Sequence, residues 1–526
     1  MKTIFKPFVI AISSLALTFS SCSDFLETTP ADFLSQSNYY ETEEQLNFAL
    51  NGVYDILGQR AVYGDALISR MGTEGDEGFY NVASFAGTQV YNHSTADTYV
   101  LNLWQLLYDG INRANVLIEN VSKPQMDETK RNDILGQAKF LRAYYHFLLV
   151  SNWGDVPLMM KATSSANQTN IKRTPQKEVY EAILKDMEDA EALVLPVTTV
   201  GFGGKISKSA VRGVLARVCL YMAGYPVRDV SKYQEAVKWS KTIINENVHA
   251  LNPSYQDVFI NYAADKYDIK ESIWEVEFWG NTAGPYREGG RVGINTGIPN
   301  PSTTSYAYGF IQTTAKLFNS YGSSKDLRRD WAIAPFRYQS QGTIKANWNA
   351  TQIYERHCGK WRREYEVVSP KSMNDSPENF PLLRYSDVLL MYAEAENEVN
   401  GPTAEAYAAI NQVRKRAYGK LLAGAANVNE ANVPAGLSKK DFAEYIQAER
   451  SRELCFEALR KYDLIRWGIL GSTLKGLSGE ITANAPSALK YAANGGTNFI
   501  DPRHLLLPIP VYEMGVNKAL EQNKGW

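Results

Sequence analysis

The sequence predicts a mainly α protein, a scaffold of paired helices that carries an irregular, loop-rich region with short strands. Three observations predict it. Apolar residues recur at three- and four-residue spacing in one segment after another, the period of a single buried helical face. Those segments arrive two at a time. Between Leu251 and Phe380 the pattern breaks: Gly280, Gly284, Gly289, Gly290, Gly293 and Gly297, with Pro285, Pro299 and Pro301, interrupt any long helix, and Ser272 to Phe278 alternates like a strand.

Taken in order, residues 1–21 read as an export signal. Lys2 and Lys6 precede an apolar run, Phe8 to Phe19, that is short for a membrane span, and Ser20 and Ser21 stand before Cys22. Small residues directly before a cysteine resemble a bacterial lipobox, which would make Cys22 the acylated mature N-terminus; the plainer alternative is a cleavable signal with an incidental cysteine. Residues 22–40 then form the lipid anchor and a tether, and 41–526 a single large domain.

Within that domain the spacing predicts helices over Thr42 to Leu57 and Leu103 to Val121. A third covers Ala138 to Leu158, where Tyr144, Tyr145 and Phe147 pack as core and Gly154 and Pro157 end the helix. Thr174 reads as an N-cap with Pro175 at the first helical position, opening a helix that stops at Pro196. Ser207 to Ala223 and Tyr233 to Ile244 make the next pair, Tyr385 to Val399 and Ala404 to Tyr418 another. Helix pairs of this kind at roughly 34-residue intervals look like divergent tetratricopeptide repeats. The scaffold therefore occupies mainly 41–250 and 381–420, the loop-rich region about 251–380, and further helices and loops 421–526.

Composition narrows the function. Of 526 residues 44% are hydrophobic and 21% charged, values of a folded soluble domain, and a net charge of -2 gives no electrostatic reason to bind nucleic acid. Thirty-two Tyr and ten Trp exceed what core packing usually recruits, and both residues suit wet binding surfaces. Cys219, Cys358 and Cys455 are far apart and show no paired spacing, so they read as small core residues rather than as a disulfide framework.

Candidate chemistry divides into a helix and two loops. Glu449, Glu453 and Glu457 stand four apart and would suit a glycosidase, but Arg450, Arg452 and Arg460 interleave with them, and Arg384 and Asp387 are further partners, so the reading is structural ion pairs. The five histidines form no metal-ligand spacing, no nucleophile motif occurs, and Gly201 to Lys205 lacks phosphate-loop spacing and reads as a turn. No cofactor, metal or catalytic residue is assigned. The aromatic loops hold the better case. Trp279, Tyr286, Tyr306, Tyr308, Trp348 and Trp361, with Tyr80 from a second loop at Gly72 to Tyr99, offer flat faces to sugar rings. Asp76, Asn81, Arg287 and Asn295 offer hydrogen bonds beside them.

Six stretches, CSDFLETTP, LWQLLYDGINRAN, AKFLRAYYHFLLVSNWGDVPL, RYSDVLLMYAEAENE, ERSRELCFEALRKYDLIRWG and LLLPIPVYEMGVNKALEQNKGW, resemble successive motifs of the SusD/RagB family. The resemblance implies a surface-exposed outer-membrane lipoprotein of Bacteroidetes-type bacteria, anchored through Cys22, with four tetratricopeptide-like helix pairs. It implies a non-enzymatic lid that captures a glycan for a SusC-like TonB-dependent transporter; peptide cargo is the alternative. The shared motifs map onto scaffold helices, so the ligand contacts are placed by chemistry and region.

Overall fold

The computed structural model describes residues 39–526 apart from 166, 168, 280–288, 304, 340 and 341. Cys22, the signal segment, most of the tether, Tyr286 and Arg287 thus lie outside the described residues. The predicted class holds. Helices α1 (Glu43–Gly58), α2 (Thr98–Asn120), α3 (Glu128–Trp153), α4 (Gln176–Leu193), α5 (Lys208–Ala223) and α6 (Lys232–Asn245) follow in chain order, each packed on its predecessor. The shorter α7 (Tyr255–Ala263) opens the loop region, after which α8 (Tyr385–Asn400) returns to α6 and α9 (Ala404–Ala417) packs on α8. The row forms four pairs, α1/α2, α3/α4, α5/α6 and α8/α9, and each buries faces that none could bury alone.

Local chemistry sets the helix ends. Thr42 and Gln45 form a capping box at α1, and Asp97, Asp127 and Ser207 accept first-turn amides at α2, α3 and α5. Helix α3 starts ten residues before the stretch from Ala138 and is buried on every side over its second half rather than on one face. The strand Ser272–Val276 explains this: the ring of its Trp274 lies 4.6 Å from that of Tyr144 and 5.1 Å from that of Phe140, centroid to centroid. Two buried polar tips of α3 are satisfied, Tyr145 donating to Val53 O and Trp153 to Pro508 O. Gly154, at φ +71°, ends the helix in a conformation that favours glycine.

The start of α4 differs from expectation. Pro175 is itself the cap residue, because Thr174 is drawn into a backbone bridge with Val156, and Asp155 Oδ1 takes the Gln176 amide instead.

Three antiparallel ribbons occur among the described residues: β1 (Gly78–Tyr80) with β3 (Ile311–Thr313), β2 (Ser272–Val276) with β6 (Phe380–Arg384), and β4 (Phe336–Gln339) with β5 (Ile344–Asn347). The alternation at Ser272 predicts one wet face, yet all five residues of β2 are buried. Its polar member Glu275 is accommodated by hydrogen bonds from Ser272 Oγ and Asn379 Nδ2. After α9 the chain adds α10 (Lys439–Leu454), α11 (Arg460–Arg466), α12 (Leu470–Asn484) and α13 (Val511–Val516).

Helix α10 carries Glu449 and Glu453 but stops before Glu457, since Phe456 and Ala458 turn the chain at φ +61° and +59°. All three glutamates meet arginine or lysine in the interior. Arg328 reaches Glu449 at 2.7 Å and Glu453 at 3.1 Å, Arg384 reaches Glu453 at 3.1 Å and Glu457 at 2.8 Å, and Lys360 reaches Glu457 at 2.7 Å. Arg450 binds Asp387 and Asp463 beside them. Glu449 and Glu453 have no exposed surface, so neither meets a solvent-borne substrate. Cys219, Cys358 and Cys455 are free and buried.

Candidate functional site

The two aromatic loops, far apart in sequence, are one structure. Strand β1 of the first pairs with β3 of the second, Gly78 opposite Thr313 and Tyr80 opposite Ile311. Just beyond the ribbon, Asn81 N donates to Phe310 O and Asn81 Nδ2 to Gly309 O at 2.9 Å.

This pairing assembles an aromatic arc. Tyr80 stacks on Phe310 with centroids 4.9 Å apart and planes 16° apart, and Phe310 stacks on Tyr308 at 5.0 Å and 9°. Tyr306 meets Tyr308 edge-on at 4.8 Å and 88°, and on the other side Tyr80 meets Phe85 at 4.8 Å. Burial grades along the arc, from Tyr80 at 4% exposed to Tyr308 at 45%. Parallel and edge-on contacts of this kind are worth about 0.5–1.5 kcal/mol each beyond burial. The inner rings therefore hold the outer ring in place.

The backbone under the arc is clamped. A short π-helical turn, Val292–Thr296, offers Ile294 O to the amides of Tyr308 and Gly309, and Asn295 O to that of Phe310. Gly309, at φ +56°, has no room for a Cβ, which would stand 2.5 Å from Pro299 N. Arg363, itself buried, donates to Tyr306 O while gripping Glu366 through Nε at 2.7 Å and Nη2 at 2.9 Å. Nearby, Glu378 is fully buried and, among the described residues, neither of its carboxylate oxygens is hydrogen-bonded; burial followed by the neighbouring Glu366 pushes its pKa well up. His357 Nε2 lies 3.4 Å from Asn81 Nδ2, and burial lowers this histidine to about 4, so it faces the site as a neutral ring at pH 7.

The residues singled out in the sequence divide accordingly. Tyr80, Tyr306 and Tyr308 come together in the arc with Asn81. Asn295 lies beneath it, its side-chain amide donating to Asp65 at 2.7 Å. Asp76 faces away into an ion pair with Arg460 and Lys316, both at 2.7 Å; burial works against its charge, but those two cations outweigh it and hold the carboxyl at about 2. Trp361 is 1% exposed and packs on Phe259 and Phe380, so it belongs to the core and cannot present a face to ligand. Trp348 is half-buried at the foot of the β4–β5 hairpin under the Arg337 guanidinium. Trp279, 45% exposed, follows β2. Phe310, central to the arc, escaped the sequence reading because a lone Phe between glycine and isoleucine carries no signal; the later pairing of β1 with β3 gives it its place.

A family model described as "SusD family" matches residues 270–526, and one described as "Starch-binding associating with outer membrane" matches residues 24–220. The chain belongs to the SusD/RagB family. SusD-like protein P25 of Formosa agariphila is 28% identical over 549 residues, 97% of each chain. The crystal structure of a SusD homolog from Bacteroides thetaiotaomicron covers 93% of this SusD-like chain and 98% of its own, with a TM-score of 0.87 and 28% identity. At 22% identity, a laminarin-binding SusD-like protein (TM-score 0.72, 93% and 100% covered) and surface glycan-binding protein A from Bacteroides thetaiotaomicron (0.70, 92% and 100%) share the fold. The family is one of substrate-binding proteins and not of enzymes. Among the described residues no helix is long and apolar enough to cross a membrane.

Proposed function

We propose that this chain is a non-catalytic glycan-binding lipoprotein of the outer-membrane surface, anchored through Cys22, that captures an oligo- or polysaccharide and delivers it to a SusC-like TonB-dependent transporter. The observation that carries the reading is the exposed Tyr308 ring, held by Phe310, Tyr80 and Tyr306. A rigid aromatic face with polar groups at its edge gives the apolar side of a pyranose a surface to lie on. Asn81 supplies such a polar group. Support comes also from relatives named for laminarin and surface glycans, and from the starch-binding description of one family model. Affinity at one small arc is modest, and anchoring beside a transporter compensates by raising the effective concentration.

Affinity electrophoresis and calorimetry against a panel of neutral and acidic polysaccharides test this. One or more is bound, and Tyr308→Ala weakens that binding about tenfold, the equivalent of about 1.4 kcal/mol, with the melting temperature unchanged. Retention of full affinity by Tyr308→Ala would place the site elsewhere.

A further inference from the structure

The arc does not end at Phe85. Beyond it the guanidinium of Arg70 stands 4.6 Å from the Phe85 centroid and 3.8 Å from that of Tyr99, between two rings. Most buried arginines are spent on carboxylates, Arg328, Arg363, Arg384, Arg450 and Arg466 each gripping at least one, and buried Arg356 spends its N–H groups on the carbonyls of Gln352 and Asn349. Arg70 is different. Among the described residues its side chain makes no ion pair and donates no hydrogen bond, and the residue is half-buried rather than free in solvent. Asp65, the acid that also acts on Tyr80, gives its Oδ1 to Ser69 and Asn295 instead. Ring contacts use the faces of a guanidinium and leave its N–H edge unspent.

We infer that Arg70 reads an anionic substituent on the glycan, a uronic acid carboxylate or a sulfate ester, so that the ligand of this site is an acidic polysaccharide. This rests on the glycan-binding reading above. The planar N–H fork matches both oxyanions in a two-point contact that an ammonium cannot reproduce. Held between rings, it loses little freedom on binding. The series Tyr308, Phe310, Tyr80, Phe85, Arg70 and Tyr99 thus continues from a stacking surface to a charge-reading one, with consecutive members in direct contact.

The test pairs each acidic polymer with its neutral counterpart. Polygalacturonate is compared with fully methyl-esterified pectin, and dextran sulfate with dextran, for the wild type, Arg70→Met, Arg70→Lys and the surface control Lys440→Met, which makes the same charge change at an exposed position in the first turn of α10. Wild-type preference for at least one acidic polymer is expected to exceed tenfold, and which pair shows it separates carboxylate from sulfate. Arg70→Met should abolish the preference, Arg70→Lys should recover only part, and Lys440→Met should keep it. Higher salt should narrow the gap. Binding of neutral polymers alone, or equal loss of both classes in Arg70→Met, overturns the inference while the glycan reading stands. Failure of every polymer to bind overturns the glycan reading itself.

Discussion

The interior around α10 and the loop region around β1 and β3 are both crowded with groups that could do chemistry, and they differ in whether those groups are spent. At α10 each glutamate meets cations: Glu449 holds Arg328, Arg414 and Arg452, and Glu453 holds Arg328, Arg384 and Arg416. In the loop region, among the described residues, Arg70 pairs with no carboxylate and Tyr308 shows nearly half its surface, while Glu378 is unpartnered but buried. A satisfied network fixes a fold; unspent groups at a surface are free to meet a ligand. Abundance of carboxylates and arginines therefore says little about function until their partners are counted.

Breaking the spent side should give the largest effect. Glu453→Ala leaves three arginines without their shared carboxylate in the interior, a loss of about 3–5 kcal/mol for a broken buried pair. The expected outcome is a large fall in melting temperature or insoluble protein. Burial opposes ionisation of Glu453, but Arg416, Arg384 and Arg328 hold it down to about 2. Its contribution is thus present above the ordinary glutamate range and is lost only as pH falls through about 2. Near-native stability of Glu453→Ala in a denaturant titration would show that the network is dispensable.

A carboxylate with no counter-charge should behave in the opposite sense, and among the described residues Glu275 is one. Burial, the leading cause, raises it from 4.5 to about 7, and only a hydroxyl and an amide attend it. Its folded pKa lies above the unfolded value, so stability is greatest below pH 4.5 and declines as pH rises to 7, by roughly 3 kcal/mol at about 1.4 kcal/mol per unit. Unfolding free energies of Glu275→Gln at pH 5, 6, 7 and 8 should show a shallower decline than the wild type. Identical slopes would mean that Glu275 is not the titrating group.

The same contrast explains what the sequence makes legible. Helix faces and caps follow from neighbours three or four residues apart, so the scaffold is legible directly; the interleaved arginines point to a structural role for the glutamates, but only Glu449 with Arg452 pairs locally, the other partners, Arg328, Arg384 and Arg416 among them, coming from far along the chain. The arc depends on Tyr80 meeting Phe310, 230 positions further along the chain, and no local period encodes that. Trp361 shows the failure most plainly. In a glycine-rich loop it looks like a displayed ring, yet the loop folds inward over α7 and buries it against Phe259. Asp76 sits in an equally polar stretch but turns to Arg460, 384 residues away. Tyr306 and Tyr308 were legible only as members of a crowd; which aromatics remain outside is set by the clamp of the π-helical turn and Arg363.

That clamp supplies the smallest effect, and the one that bears most closely on how the arc is held. Asn81 joins the two loops by a backbone hydrogen bond to Phe310 that any residue could make, and by a side-chain bond to Gly309 that Ala cannot make. One such bond contributes about 1 kcal/mol, and because this one is only part-buried, water can recover part of it. Asn81→Ala should therefore lower stability by under about 1 kcal/mol. Its effect on glycan affinity separates two roles. If Asn81 only fastens the loop, stability and affinity fall together by a few-fold at most, and a ligand added in excess restores both. A loss of affinity beyond that of Tyr308→Ala, at unchanged stability, would make Asn81 a direct contact to the sugar and extend the unspent surface from the outer ring down to the edge of β1.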